Sequence, residues 1–403
     1  TRNWRRQDFD RSPRPGLAYR RVIDDELFLR NSTGNNNREF DVAGAESRLG
    51  FERERHHLEA GLRYVYEQHR DRRIDGSTFT AVSGIIREDE TRYGNAASVF
   101  VQDRIRLTPR LTLTPGLRLE HYRYTRDIHR QPVQGVPTDV AVRRGDSVTR
   151  PIPGAGVAWQ PRERLTLFAG AHRGFAPPRV KDAITRAGVS LELDAELSWN
   201  YEAGARLRLA RGLRFETTLF ATDFSNQIVP AAVSGGATTT LVNAGETVHR
   251  GAEASLAVDW SRFTGLPLWT EVRETWLPTA RFASGIHDGN RLPYAPRHST
   301  TLAFSYRHRS GLSLHLDGTR VGDQFGDNLE TVPGSADGTV GLLPSYWVWN
   351  LSAGREFRRE RFAASPFVTV KNLANELYIA SRAPLGIQPG MFRQVNAGVK
   401  LRF

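Results

Sequence analysis

The sequence predicts an all-β protein, a transmembrane antiparallel β-barrel of about 15–16 strands joined by short turns at one end and long loops at the other. Three observations predict it. Segment after segment alternates apolar and polar residues, the connections alternate short and long, and tryptophans gather at strand ends. No run of about 18 apolar residues offers a membrane-spanning helix. Hydrophobic residues make up 39% of the 403, as expected of a wall whose lipid-facing side chains are each followed by a water-facing one.

Residues 1–37 are polar and turn-rich, with Arg11-Ser-Pro-Arg-Pro-Gly16 and Asn31-Ser-Thr-Gly-Asn-Asn-Asn37. They read as irregular, with one strand near Leu17–Leu29, and the barrel strands are expected over 38–403 as a single domain. His57–Glu67 sets Leu58, Ala60, Leu62, Tyr64 and Tyr66 on one face against Glu59, Gly61, Arg63 and Glu67, interrupted at Val65. A period of two places such sets on opposite faces of a strand. Leu111–Glu120 repeats the pattern. Leu197–Leu209 is its cleanest instance, with Ser198, Asn200, Glu202, Gly204, Arg206 and Arg208 on the polar side. Gly251–Trp260 and Leu312–Asp317 follow, and the chain closes on Val395, Ala397, Val399, Leu401 and Phe403 against Asn396, Gly398, Lys400 and Arg402. Many segments exceed the roughly 9–11 residues that cross a bilayer at a tilt. Soluble strands average only about 5–6.

Short connections fall near 108–110, 160–163, 210–212, 308–311 and 357–360, and long ones near 70–90, 128–147, 174–196, 229–240, 284–296, 326–343 and 379–390. This rhythm is that of periplasmic turns and extracellular loops. Trp159, Trp260 and Trp269 lie beside short turns, and Trp199, Tyr346 and Trp347 beside long loops, as two headgroup-level girdles require. About 15 strands is an odd count, so either a further strand lies near Leu17–Leu29 or the first strands are absent. With a start at Thr1 and no leader, the expectation is a piece of a longer chain whose last strand is an exposed edge not bonded to residues 17–29.

A net charge of +12 invites nucleic acid. The arginines are dispersed, however, with no zinc-finger spacing, RNP pattern or basic helix, and nucleic acid is set aside. The absence of cysteine fits an oxidising compartment. No G-x-S-x-G, H-E-x-x-H or P-loop occurs, and His56 and His57, adjacent in a strand, point to opposite faces. No enzyme, cofactor or resident metal is expected.

Several stretches carry a family resemblance: Arg173-Gly-Phe-Ala-Pro-Pro178, Leu197-Ser-Trp-Asn-Tyr-Glu202, Asp223-Phe-Ser-Asn-Gln-Ile228, Asn243-Ala-Gly-Glu-Thr247 with Arg250-Gly-Ala-Glu253, and Val370-Lys-Asn-Leu-Ala-Asn375. With the aromatic-ended last strand, they resemble the C-terminal barrel portion of TonB-dependent outer-membrane receptors, most of all the ferric dicitrate branch. The resemblance implies a roughly 22-stranded barrel around a plug that this chain lacks, and coupling to the TonB complex through the missing N-terminal region. It implies a ferric chelate, citrate or a related siderophore, as cargo, in a wall facing outer-membrane lipid and lipopolysaccharide. No ligand residue of the family maps onto this chain.

Loop arginines suit a polycarboxylate chelate, because a planar guanidinium matches carboxylate geometry. Arg126, Arg130 and Gln388 are the candidate ligand residues. Two other classes stay open: a passive porin-like channel, disfavoured because no inward-folded loop stands out, and an outer-membrane hydrolase, which would need Ser, His and an acid on adjacent strands, beside His172 or His315.

Overall fold

The computed structural model describes residues 2–9, 29–77, 81–191, 195–225, 228–230, 241–243, 245–336, 338–360, 362–382 and 386–402. The strands, in order, are β1 (Arg2–Phe9), β2 (Leu29–Arg53), β3 (His56–Gly76), β4 (Ile85–Thr108), β5 (Leu111–Val133), β6 (Val136–Arg162) and β7 (Leu165–Ala176). After a short helix α1 (Val180–Ala183) come β8 (Glu196–Ala210), β9 (Leu213–Ser225), β10 (Ile228–Pro230), β11 (Leu241–Asn243), β12 (Thr247–Asp259), β13 (Leu268–Phe282) and β14 (His298–Arg307). The last are β15 (Leu312–Val321), β16 (Tyr346–Arg355), β17 (Phe357–Arg359), β18 (Phe362–Lys371), β19 (Ile379–Ser381), β20 (Gln388–Pro389) and β21 (Gln394–Arg402).

Among the described residues, seventeen strands form one antiparallel sheet. Each pairs with its sequence neighbour, β17 prolongs β16 against β18, and the small ribbons β10–β11 and β19–β20 belong to long loops. The barrel expected from the sequence is therefore present as a continuous up-and-down wall. Among the described residues β1 bonds only to β2, and β21 only to β18, so the last strand is an edge.

Two expectations need correction. Residues 1–37 are not irregular throughout: β1 pairs with the outer part of β2, Arg2 opposite Arg38, and the Asn-rich 33–37 segment is held on its other side by β3. Pairing on both sides satisfies a polar backbone that has no apolar alternation. The strand expected near Leu17–Leu29 falls mostly outside the described residues. The loops expected at 70–90 and 128–147 are shorter than expected: β3 runs on to Gly76 and β4 starts at Ile85, and β5–β6 close in a two-residue turn at Gln134 and Gly135 with φ of 50° and 86°. Two consecutive positive φ values make the tight hairpin turn whose twist suits the strands. Above the bilayer both faces meet water, so alternation fades while the strand continues.

The two faces differ as the period predicts. Leu62, Val99 and Leu119 stand side by side on adjacent strands and are 58%, 62% and 48% exposed. A contiguous apolar surface of this kind needs a non-aqueous neighbour. Val395, Val399 and Leu401 share that face with Pro366, Val368 and Val370, while Lys400 shares the other with Ser365. The inner face carries ion pairs and polar bonds: Arg206 with Glu216 at 2.8 Å, Arg273 with Glu271 at 2.8 Å, and Asn350 donating to Asp317 at 2.7 Å.

At five of the cross-strand pairs that oppose a glycine to an aromatic residue, the ring lies over the glycine: Gly61 with Phe100, Gly204 with Phe168, Gly251 with Phe220, Gly318 with Trp349 and Gly398 with Phe367. The rings fold over these glycines, where a Cβ would meet ring carbons at 2.4–2.8 Å.

Trp159, Trp260 and Trp199 are exposed at strand ends, as a girdle needs. Trp269 and Tyr346 depart from it. Trp269 lies on the inner face beneath the Arg214 guanidinium, 4.8 Å from its ring centre, because on β13 it is the even residues Leu268, Thr270 and Val272 that face outward. Tyr346 stacks on Tyr378 of the last long loop, centroids 4.2 Å apart.

Candidate ligand vestibule

The outer ends of β2–β6 rise beyond the apolar band and present a chain of alternating charge on their inner face. Arg38 Nε lies 3.5 Å from Asp71, Arg92 Nη2 lies 2.9 Å from both Asp71 and Glu90, and Arg126 Nε donates to Glu90 at 2.9 Å. The register explains it. Asp71 sits directly opposite Glu90, a like-charge pair that is unfavourable unless cations lie between. Burial works against ionisation of Glu90, yet Arg126 and Arg92 outweigh it and hold the carboxyl below its ordinary value.

A segment of the long loop after β7 folds against this wall. Ala183 and Ile184 are fully buried on Tyr124, with Tyr122, Val180 and Leu191 around them. Arg126 Nη1 donates to the carbonyls of Lys181 at 3.2 Å and Ile184 at 2.5 Å, fastening the loop to the strands. Burial raises the Tyr124 hydroxyl to about 12. Tyr122, Tyr124 and Val148 share the face of Arg126, so this is an inward-folded segment, although none stands out in the sequence. Its apolar residues are too scattered in a polar stretch to show a period.

Across the mouth, three other loops interlock. Arg291, buried, donates to the carbonyls of Leu277, Pro278 and Ala295 at 2.7–3.0 Å, while its backbone N–H donates to Glu330. Arg382, also buried, donates to the carbonyls of Leu342 and Gly338, and its backbone N–H donates to the Tyr294 hydroxyl.

The three sequence-predicted residues do not converge. Arg126 is buried on β5 rather than loop-borne, and its guanidinium is engaged by Glu90 and two carbonyls. Arg130, near the tip of β5, pairs with Asp139 at 3.1 Å. Gln388, exposed, faces Ser381 in the β19–β20 ribbon of the last loop. Most other loop cations are likewise neutralised: Arg70 by Asp89, Arg72 by Glu39 and Arg143 by Asp127. Arg144, directly opposite Arg126, and Lys181 are exposed and make no ion pair among the described residues. Composition alone could not separate them from their paired neighbours.

Beside His315 the structure supplies the serine and acid that a hydrolase would need, Ser305 at 2.8 Å and Asp317 at 3.5 Å. The unbroken β14–β15–β16 ladders engage the surrounding backbone N–H groups, so the strand backbone offers no oxyanion donors there. Among the described residues no group of three His, Cys, Asp or Glu side chains gathers to hold a metal ion.

A family model described as "TonB dependent receptor-like, beta-barrel" matches residues 1–373. The chain belongs to this family. Its place is accordingly the bacterial outer membrane, short turns toward the periplasm and long loops outside. Among solved structures, the ferric citrate transporter FecA in its unliganded form superposes with TM-score 0.73 at 23% identity, covering 93% of this chain and 56% of FecA. The ferric yersiniabactin uptake receptor FyuA from Yersinia pestis gives 0.70 at 18%, covering 93% and 56%, and the copper transporter OprC 0.69 at 14%, covering 92% and 57%. These likenesses are of fold. The TonB-dependent receptor barrel described here thus spans little more than half the length of the structures it matches.

Proposed function

We propose that this chain is the barrel wall of a TonB-dependent transporter for a ferric chelate, and that ferric citrate or a related carboxylate siderophore is its cargo. The observation that carries the reading is the vestibule's charge arrangement. Arg144 and Lys181 stay exposed and make no ion pair among the described residues, beside a wall on which Arg92, Arg126 and Arg143 are each paired with a carboxylate. Within the family fold, FecA is named for ferric citrate, FyuA for ferric yersiniabactin and OprC for copper, so cargo class varies and chemistry at the mouth must choose it. Two unneutralised cations favour an anion.

The mechanism is binding rather than bond chemistry. Arg144 and Lys181 would take the chelate's carboxylates, Arg126 would position the segment that bears Lys181, and Arg130 and Gln388 remain outer-rim contacts. TonB would act through a plug and N-terminal segment, as the family resemblance implies. Uptake of iron-55 citrate by iron-starved cells expressing the complete protein tests this. Arg144→Gln with Lys181→Gln should weaken apparent affinity roughly tenfold, as loss of charged hydrogen bonds predicts. Unchanged uptake would refute citrate as the cargo.

A passive porin-like channel is the second reading, favoured by the inward-folded 177–191 segment. Uptake that persists after the proton-motive force is collapsed would support it over the first.

A further inference from the structure

The cations at the two ends of the barrel are treated differently. The short-turn end comprises residues 52–57, 103–110, 162–164, 208–214, 259–266, 307–311, 355–360 and 400–402. These segments hold eighteen Arg and Lys against seven Asp and Glu, nearly the whole of the chain's +12 formal charge. All eighteen cations are exposed, and among the described residues only Arg262, with Asp259 at 3.5 Å, and Arg358, with Glu356 at 3.9 Å, reach a carboxylate. At the long-loop end many cations are paired with carboxylates, as at Arg70, Arg92 and Arg126, with Arg144 and Lys181 as exceptions. A surplus of unpaired like charge is self-repelling and calls for a counter-charge from outside the chain.

We propose that this ring of turns docks on anionic phospholipid headgroups of the periplasmic leaflet. A second observation selects lipid over a soluble polyanion: exposed apolar side chains interleave with the cations. The turn after β12 exposes Trp260, Phe263 and Leu266 around Arg262, and Phe357 and Phe362 flank Arg358 and Arg359. Aromatic rings at headgroup depth beside basic residues match the layered chemistry of a bilayer surface, apolar below and phosphate above. A purely electrostatic partner has no use for the rings. Strand-borne cations such as Arg208, Arg214 and Lys400 lie on the inner face instead, so the docking surface is the set borne by the turns. The inference is independent of which cargo the vestibule takes.

The complete protein, reconstituted in bilayers with spin-labelled phosphatidylglycerol or phosphatidylcholine, tests it by the fraction of each lipid immobilised at the protein surface. Phosphatidylglycerol should be preferred about threefold at low salt, and the preference should fall by about half in 0.5 M salt. Arg211→Gln with Arg309→Gln and Arg359→Gln should lower it toward parity, while Arg72→Gln with Arg87→Gln and Arg143→Gln at the other end should leave it intact. Electrophoretic heat-modifiability confirms that each variant is folded. Equal immobilisation of the two lipids in the unaltered protein overturns the proposal, as does an equal loss in both variants. Displacement of the lipid preference by soluble polyglutamate would assign the ring to an acidic polypeptide and overturn it as well.

Discussion

The imidazole of His69 lies flat on the ring of Phe40, centroids 4.0 Å apart and planes 19° from parallel. The two residues are directly opposed on β3 and β2. Burial first, and then the Arg92 charge, lower the imidazole from its ordinary 6.5 to about 4. An unfolded chain therefore takes up this proton near pH 6.5 and the folded wall near 4. The outer hairpin should hold at neutral pH and loosen as pH falls through that window. Hydrogen exchange at the histidine Cε1 position, followed against pH, should give a midpoint near 4. Phe40→Ala should move it toward 6.5, the unperturbed value. An unmoved midpoint would show that stacking does not set it.

Glu90→Gln should release the loop that Arg126 fastens. The substitution leaves a buried guanidinium without its carboxylate, an imbalance worth roughly 3–5 kcal/mol. Trypsin should then cut at Lys181 and Arg186 well before the barrel unfolds. Because the Glu90 carboxyl is held below its ordinary value, the unaltered loop should behave the same way in acid, its anchoring present above the carboxylate range and lost as pH falls through the folded-state value.

Gly204→Ala should destabilise the barrel wall although it adds a single methyl group. That methyl would lie 2.4 Å from both the Phe168 ring and the Thr217 carbonyl oxygen, and overpacking of this kind costs about 1–3 kcal/mol. Urea unfolding in detergent, read by tryptophan fluorescence, should show the loss. Gly50→Ala, where a Cβ would have nothing within 4 Å, should not.

Arg382→Lys should free the 322–345 loop almost as fully as Arg382→Ala. The guanidinium spans the Leu342 and Gly338 carbonyls through three nitrogens, and a single ammonium lacks that fork. Mass-spectrometric hydrogen exchange should rise across 335–343 in both variants. Retained protection in the lysine variant alone would show that charge suffices.

The wall was most legible where lipid imposes contrast. Leu197–Leu209 and Val395–Phe403 alternate cleanly because one face must be apolar over the whole bilayer thickness. Beyond about Tyr66 and Tyr122 that pressure ends, and β3 to β6 run on through residues such as Arg70, Arg72 and Arg130 that local composition describes as loop. Arg126 was misplaced for a related reason. Its partner Glu90 lies 36 residues upstream and meets it only through the register of two strands. Nothing near residue 126 in the sequence announces a buried pair. Trp269 was assigned by its nearness to a turn, whereas parity along β13 decides its face.

The Gly–aromatic pairs have a consequence for how the wall is assembled. Each ring finds a vacant position only in one alignment of its two strands. A slip by one residue exchanges the faces, and a slip by two sets the ring against an occupied Cβ. At Gly204, for example, the neighbouring same-face positions are Glu202 and Arg206, neither of which leaves room for the Phe168 ring. The five pairs recur from β3 to β21, so that mispairing is checked at intervals along the wall. They act as detents, letting a growing sheet click into alignment before lipid seals its outer face.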